Sequence, residues 1–134
     1  MSQATVLLVE NEGIVAEDLA GMLRRLGYEV AGIAASGEEA VALAGRLNPH
    51  LVLMDISLAG PMDGIEAAET IRRQHDAPVI YLTTHSDPAT LARAKLTGPF
   101  GYVLKPFDVR DLATQIEMAL YRHQADQQLR QQRE

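Results

Sequence analysis

Five times along this chain a short apolar run gives way to a stretch with apolar residues at helical spacing. That alternation leaves few folds open. Val6-Leu7-Leu8-Val9, Leu51-Val52-Leu53-Met54 and Val79-Ile80-Tyr81-Leu82 are apolar at every position. Such runs suit strands buried on both faces, as in a parallel sheet covered by crossover helices. Tyr28 to Ile33 alternates more loosely, which suits an edge strand, and Phe100 to Leu104 supplies a fifth strand. Between them lie helical patterns. Ile14, Val15, Leu19, Met22, Leu23 and Leu26 form the first, with Gly27 as its stop. Ser36-Gly37-Glu38-Glu39 reads as a capping box ahead of Ala40, Ala44 and Leu47, and Asn48-Pro49 ends that helix. Asp63-Gly64-Ile65-Glu66 caps a third helix carrying Ile65, Ala68 and Ile71. Asp87-Pro88 is an N-cap with proline at the first helical position, opening a less clearly amphipathic helix to Leu96. Asp108 caps the last, with Val109, Leu112, Ala113, Ile116 and Leu120 on one face.

Five strand–helix units joined by right-handed crossovers predict a doubly wound α/β sheet of flavodoxin-like order 2-1-3-4-5, with helices on both faces. One domain is expected over residues 1–122, with residues 123–134 as a polar helical extension of the last helix. At 134 residues, 47% hydrophobic and 22% charged, the chain is long and apolar enough for a real core. A net charge of -6 argues against direct nucleic-acid binding, which needs clustered Lys and Arg. There is no Cys, so disulfides and thiolate metal sites are excluded. No apolar run approaches the roughly 20 residues that span a bilayer, and residues 1–5 carry no leader pattern. The expectation is a cytoplasmic protein with no membrane association.

In that sheet order the switch point lies between strands one and three, where open α/β sheets bind ligands at the carboxyl ends. Glu10-Asn11 follows strand one, Asp55 closes strand three, Thr83 ends strand four and Lys105 follows strand five. Phosphoryl transfer to a carboxylate needs a nucleophile, a divalent cation and a positive group on the phosphoryl oxygens. Asp55 is the natural nucleophile. Glu10, Asn11, Asp55 and the backbone carbonyl of Ser57 offer oxygens for Mg²⁺, which keeps several waters and needs few carboxylates. Lys105 can pair with Asp55 in the empty site and with a phosphoryl oxygen in the filled one. Thr83 can donate its hydroxyl to another. Each residue alone has a plainer use as a cap or a solvated side chain; four strand ends together carry the argument.

Over about residues 4–122 the chain resembles the receiver domain of two-component response regulators. The matching segments are Val6-Leu7-Leu8-Val9-Glu10-Asn11-Glu12, Leu51-Val52-Leu53-Met54-Asp55, Met62-Asp63-Gly64, Val79-Ile80-Tyr81-Leu82-Thr83 and Gly101-Tyr102-Val103-Leu104-Lys105-Pro106-Phe107. The resemblance implies that Asp55 accepts a phosphoryl group from a sensor histidine kinase or a histidine phosphotransfer protein, with Mg²⁺ as cofactor. It implies that Thr83 and Tyr102 form a switch pair, that Lys105 is the site lysine, and that its bond to Pro106 is cis. It places Ser57 and His85 where they tune hydrolysis of the acyl phosphate. Output then passes to a downstream protein, or to a second copy, through the face of helix four, strand five and helix five. The chain is expected to be no enzyme beyond its own phosphorylation and dephosphorylation.

One departure matters. Where the family usually has two aspartates after strand one, this chain has Glu10 and Asn11, so weaker Mg²⁺ binding is expected. The same departure motivates an alternative, a phospho-independent interaction or dimerisation domain. A phosphatase with an Asp nucleophile would want an acid two residues on, where Ser57 stands. A dinucleotide binder would want G-x-G-x-x-G after strand one, which is missing. His50, His75 and His123 show no metal-ligand spacing.

Overall fold

The computed structural model describes residues 4–84 and 88–133. Its order is β1 (Thr5–Val9), α1 (Gly13–Arg25), β2 (Glu29–Ala34), α2 (Gly37–Leu47), β3 (Leu51–Asp55), α3 (Gly64–Gln74), β4 (Val79–Thr83), α4 (Pro88–Leu96), β5 (Gly101–Leu104) and α5 (Val109–Arg133). All strand pairs are parallel, in the order β2-β1-β3-β4-β5. This is the doubly wound architecture that the apolar runs require. The three runs that are apolar throughout are the three interior strands, and β3 and β4 are buried along their whole length.

Because successive strand residues point to opposite faces, each interior strand feeds two cores. Leu7, Val9, Val52, Met54 and Tyr81 meet α2 and α3 on one face through Ala40, Ala44, Ile65, Ala68 and Ile71. Val6, Leu8, Leu51, Leu53, Ile80 and Leu82 meet α1 and α5 on the other through Leu19, Leu23, Leu112 and Ile116. Each fully buried leucine or isoleucine contributes roughly 1.5–3 kcal/mol through its removal from water. The edge strand β2 carries an irregularity where the β1 register passes from Val6↔Val30 to Leu7↔Gly32.

Helix phases differ from the sequence reading at two places. Ile14 is 82% exposed, and the buried stripe of α1 is Ala16, Leu19, Ala20 and Leu23. Ile14 precedes Leu23 by nine residues, half a turn out of phase at about 100° per residue, so it falls on the outer side. Val109 is likewise exposed, and Ala119 joins Leu112 and Ile116 in the core instead. Local chemistry otherwise agrees. Ser36 accepts from the Glu39 N–H, although the Glu39 carboxylate takes the N–H of Ala35 rather than that of Ser36. Asp63 and Glu66 form a complete reciprocal capping box. Asn48 ends α2 in the left-handed region at φ 46°, which asparagine tolerates well. Asp108 accepts from the Arg110 N–H at the start of α5. Pro88 opens α4, while the Asp87 cap lies outside the described residues.

The last helix runs unbroken through the polar stretch, and that stretch touches the body. Gln127 and Arg130 each donate to Asp76, before β4, at 3.1 Å, and His123 Nε2 lies 3.2 Å from the same carboxylate. Burial opposes ionisation of Asp76, but those partners hold its carboxyl below the usual value. No described helix is long and apolar enough to cross a membrane.

Candidate functional site

The carboxyl ends of β1, β3, β4 and β5 converge. Glu10 follows β1 and is 2% exposed, Asp55 closes β3 at 3% and Thr83 closes β4 at 4%. Lys105 follows β5, and its backbone N–H is fixed by the Thr83 carbonyl at 2.8 Å. Its ammonium reaches back across the sheet end to Glu10 Oε1 at 2.6 Å and Asp55 Oδ2 at 3.2 Å. Each acid also takes a backbone N–H two residues downstream: Glu12 donates to Glu10 Oε2, and Ser57 to Asp55 Oδ1. The Lys105–Pro106 peptide is cis.

The electrostatics follow from two acids and one base in a small buried space. Burial raises the Asp55 carboxyl above its ordinary value; the Ser57 N–H works against this, Glu10 adds to it, and Lys105 opposes it. For Lys105 burial favours the neutral amine, but its hydrogen bond to Glu10 and the charges of both carboxylates outweigh this and raise the amine. The pair of carboxylates is thus under-neutralised by one ammonium. A hard cation with oxygen ligands suits that deficit, and Mg²⁺ retains water where the protein offers few donors. Asn11 and Ser57 are exposed at the rim beside these acids, where an amide oxygen and a main-chain carbonyl can join two carboxylates. Among the described residues no three His, Cys, Asp or Glu side chains form a ready metal cage. The donor set fits a hydrated Mg²⁺ rather than a fully dehydrated ion.

Of the residues singled out from sequence, Glu10, Asp55 and Lys105 are joined by side-chain contacts, Thr83 ends the neighbouring strand, and Asn11 and Ser57 are exposed beside the two acids. Tyr102 sits apart on β5, half-buried, with its ring 6.1 Å from that of Tyr81. Its hydroxyl is shut off from water and has no hydrogen-bond partner among the described residues. Thr83 and Tyr102 border the same groove, between α4 and α5, with Leu91, Gln115, Met118 and Arg122. His85 lies outside the described residues. Sequence reasoning did not single out Gly64 as a site residue. A Cβ there would strike the Asp55 carbonyl oxygen and crowd the backbone of Ile56. Gly64 N–H donates to Ile56 O at 3.2 Å, so the start of α3 is docked directly on the main chain of the acidic strand end. A glycine just after a cap and nine residues past a strand end was the available signal.

The sequence matches the family described as "Response regulator receiver domain" over residues 6–117. The chain is a response regulator receiver domain. Receiver domains are modules of two-component systems, and this one shares 43% identity over 117 residues with "Transcriptional regulatory protein PdtaR" of Mycobacterium tuberculosis, covering 87% of the chain and 57% of that protein. It is 31% identical to "Phyllosphere-induced regulator PhyR" of Methylorubrum extorquens, over 90% of the chain and 45% of that protein. The receiver domain therefore spans about half the length of the curated relatives it matches. Among solved structures, the signal receiver domain of a modulated diguanylate cyclase from Desulfovibrio desulfuricans superposes with a TM-score of 0.90 at 38% identity, covering 93% of this chain and 99% of that one. The chemotaxis protein CheY4 of Vibrio cholerae gives 0.80 at 28% identity, covering 88% and 99%.

Proposed function

We propose that this receiver domain is switched by phosphorylation of Asp55. The observation that carries the reading is the convergence of the Lys105 ammonium on two buried carboxylates, Glu10 and Asp55. In the proposed step an Asp55 carboxylate oxygen attacks the phosphorus of a phosphohistidine. The P–N bond breaks, its electron pair leaves with the imidazole, and an acyl phosphate remains. Lys105 moves from the carboxylate to a phosphoryl oxygen, and the Thr83 hydroxyl donates to another. Bound Mg²⁺, held by Glu10, Asn11, Asp55 and the Ser57 carbonyl, supplies neutralisation of the charge gathered there. Ser57 and His85 set the rate at which water hydrolyses the product. Tyr102 follows Thr83 and reshapes the face of α4, β5 and α5. That face is proposed to meet a downstream protein or a second copy, in the cytoplasm, with a sensor histidine kinase or phosphotransfer protein as phosphoryl source.

Acetyl phosphate or phosphoramidate with Mg²⁺, followed by intact mass, tests this. Wild type is expected to gain one phosphoryl group and Asp55→Ala none. No gain on wild type, or the same gain on Asp55→Ala, removes the proposal. No gain on wild type would favour a phospho-independent interaction domain, the second reading, which rests on the neutral Asn11 beside the site.

A further inference from the structure

α4 is held to the body in an unusual way for a core-facing helix. Of its nine residues only Ala94 is buried, while Leu96 is 88% exposed. What ties its C-terminal end to the sheet is polar. The Thr97 hydroxyl, just past the helix, donates to the Ala94 carbonyl at 2.7 Å. Having spent its one proton there, it must act as acceptor in its 2.7 Å contact with the Tyr81 hydroxyl. Tyr81 is therefore the donor, and the order is Tyr81 to Thr97 to Ala94. Both side chains are buried, Tyr81 completely. Burial pushes the Tyr81 phenol up to about 12, so it keeps that proton at any working pH. Gly98 then turns the chain at φ +66°, with the Arg72 guanidinium packed over it. Tyr102 lies against this assembly, ring to ring with Tyr81, its own hydroxyl unpartnered.

We propose that Tyr81 is a positioning residue whose hydroxyl, through Thr97, clasps the end of α4 onto β4 and thereby sets how readily α4 shifts when Tyr102 changes position. The second half rests on the switch reading of Thr83 and Tyr102; the clasp itself does not. A small apolar contact is tolerant of sliding, whereas a buried hydroxyl bond is directional and is lost when α4 moves by an ångström or so. The partnerless Tyr102 hydroxyl gives the neighbouring ring a reason to leave its place, because a buried unpaired donor is costly.

Hydrogen exchange on the unphosphorylated protein tests the clasp. Tyr81→Phe removes one hydroxyl at nearly constant volume and leaves Thr97 still bonded to Ala94. Exchange of the Ala94, Thr97 and Gly98 amides is expected to rise about fivefold, the worth of one net hydrogen bond, while β3 amides stay unchanged. Thr97→Val is expected to be worse, since it strands the Tyr81 donor, and adding Tyr81→Phe to it is expected to cost nothing more or to recover part of the loss. Unchanged α4 exchange in Tyr81→Phe, or fully additive effects in the double variant, overturns the clasp. The regulatory half is read from the Tyr102 ring resonances with beryllofluoride and Mg²⁺. The spectrum of Tyr81→Phe without beryllofluoride is expected to lie part-way toward the loaded one. If the ring responds to beryllofluoride in wild type but sits at the same resting position in Tyr81→Phe, the regulatory half is wrong. If it does not respond even in wild type, the switch reading fails and the exchange result still judges the clasp.

Discussion

Replacing Lys105 by methionine removes the one positive charge between Glu10 and Asp55. The ammonium lies 2.6 Å and 3.2 Å from the two carboxylates. At an effective dielectric of about 20, each contact is worth roughly 5–6 kcal/mol before desolvation is subtracted. The methionine needs no desolvation of charge, so the net loss is smaller; removing one partner of a buried pair costs about 3–5 kcal/mol. Lys105 keeps some contact with water, which places the expectation near the lower end, about 3 kcal/mol at neutral pH, or about 10 °C in melting temperature. The loss has a pH signature. Without Lys105 the Asp55 carboxyl, already raised by burial and by Glu10, rises further. A carboxyl whose folded pKa lies above its unfolded value favours folding while protonated, and that contribution disappears as pH climbs through the folded value. The variant is therefore expected to recover toward wild type as pH falls toward the ordinary Asp range, and to fall furthest behind above neutrality. Urea unfolding at several pH values, without divalent metal, reads this directly. A deficit that is flat with pH, or below about 1 kcal/mol at neutral pH, refutes the assignment of Lys105 as the counter-charge of this acid pair.

Three further outcomes are expected. Asn11→Asp restores a negative charge at the rim of the site; because the position is exposed and screened, Mg²⁺ affinity should rise about tenfold rather than by the several kcal/mol of an unscreened pair, and titration calorimetry giving equal affinities would contradict it. Gly64→Ala forces a methyl against the Asp55 carbonyl, which cannot yield as a side chain could; a loss of about 2–3 kcal/mol in chemical unfolding is expected, and a loss under about 0.5 kcal/mol would show that α3 is not seated as described. Asp76→Asn removes an exposed tie to α5, so the effect on global stability is small, about 0.5 kcal/mol. Because the Asp76 carboxyl is held low, the stabilisation it gives is present above the unfolded Asp value and fades as pH falls through the folded one, so wild type and variant should converge in acid, with exchange at Gln127 and Arg130 as the probe.

The strands and their order were legible because burial on both faces leaves an unmistakable mark: from Val6, Leu51 and Val79 onward, every residue of β1, β3 and β4 had to be apolar until the sheet ended. The acidic and basic groups were legible for the same reason, since each stands at the point where such a run stops. Helix phase was harder. Ile14 stands nine residues before Leu23, which at about 100° per residue is the opposite side of α1, so its apolar side chain points outward while the small Ala16 takes the core. The contacts that escaped are those between elements. Nothing near Tyr81 in the chain announces Thr97, and nothing near Asp76 announces Gln127 and Arg130, some fifty residues on. Such pairs exist only once the helices have been laid against the sheet. The Glu39 carboxylate shows the same limit at short range, choosing the N–H one residue before the one its motif implied.

Helix α5 has 25 residues and so measures about 37 Å. Its first turn stands beside the acidic end of the sheet, and its far turns reach Asp76 at the other pole. A rod of that length hinged at one end would act as a pointer, swinging through several ångströms for a small tilt at its root. This helix is not free to swing: Leu112, Ile116 and Ala119 seat it on the sheet, and the light contacts at Asp76 lie beyond them. Met118, Tyr121 and Leu129 therefore stay exposed at bearings set by that packing.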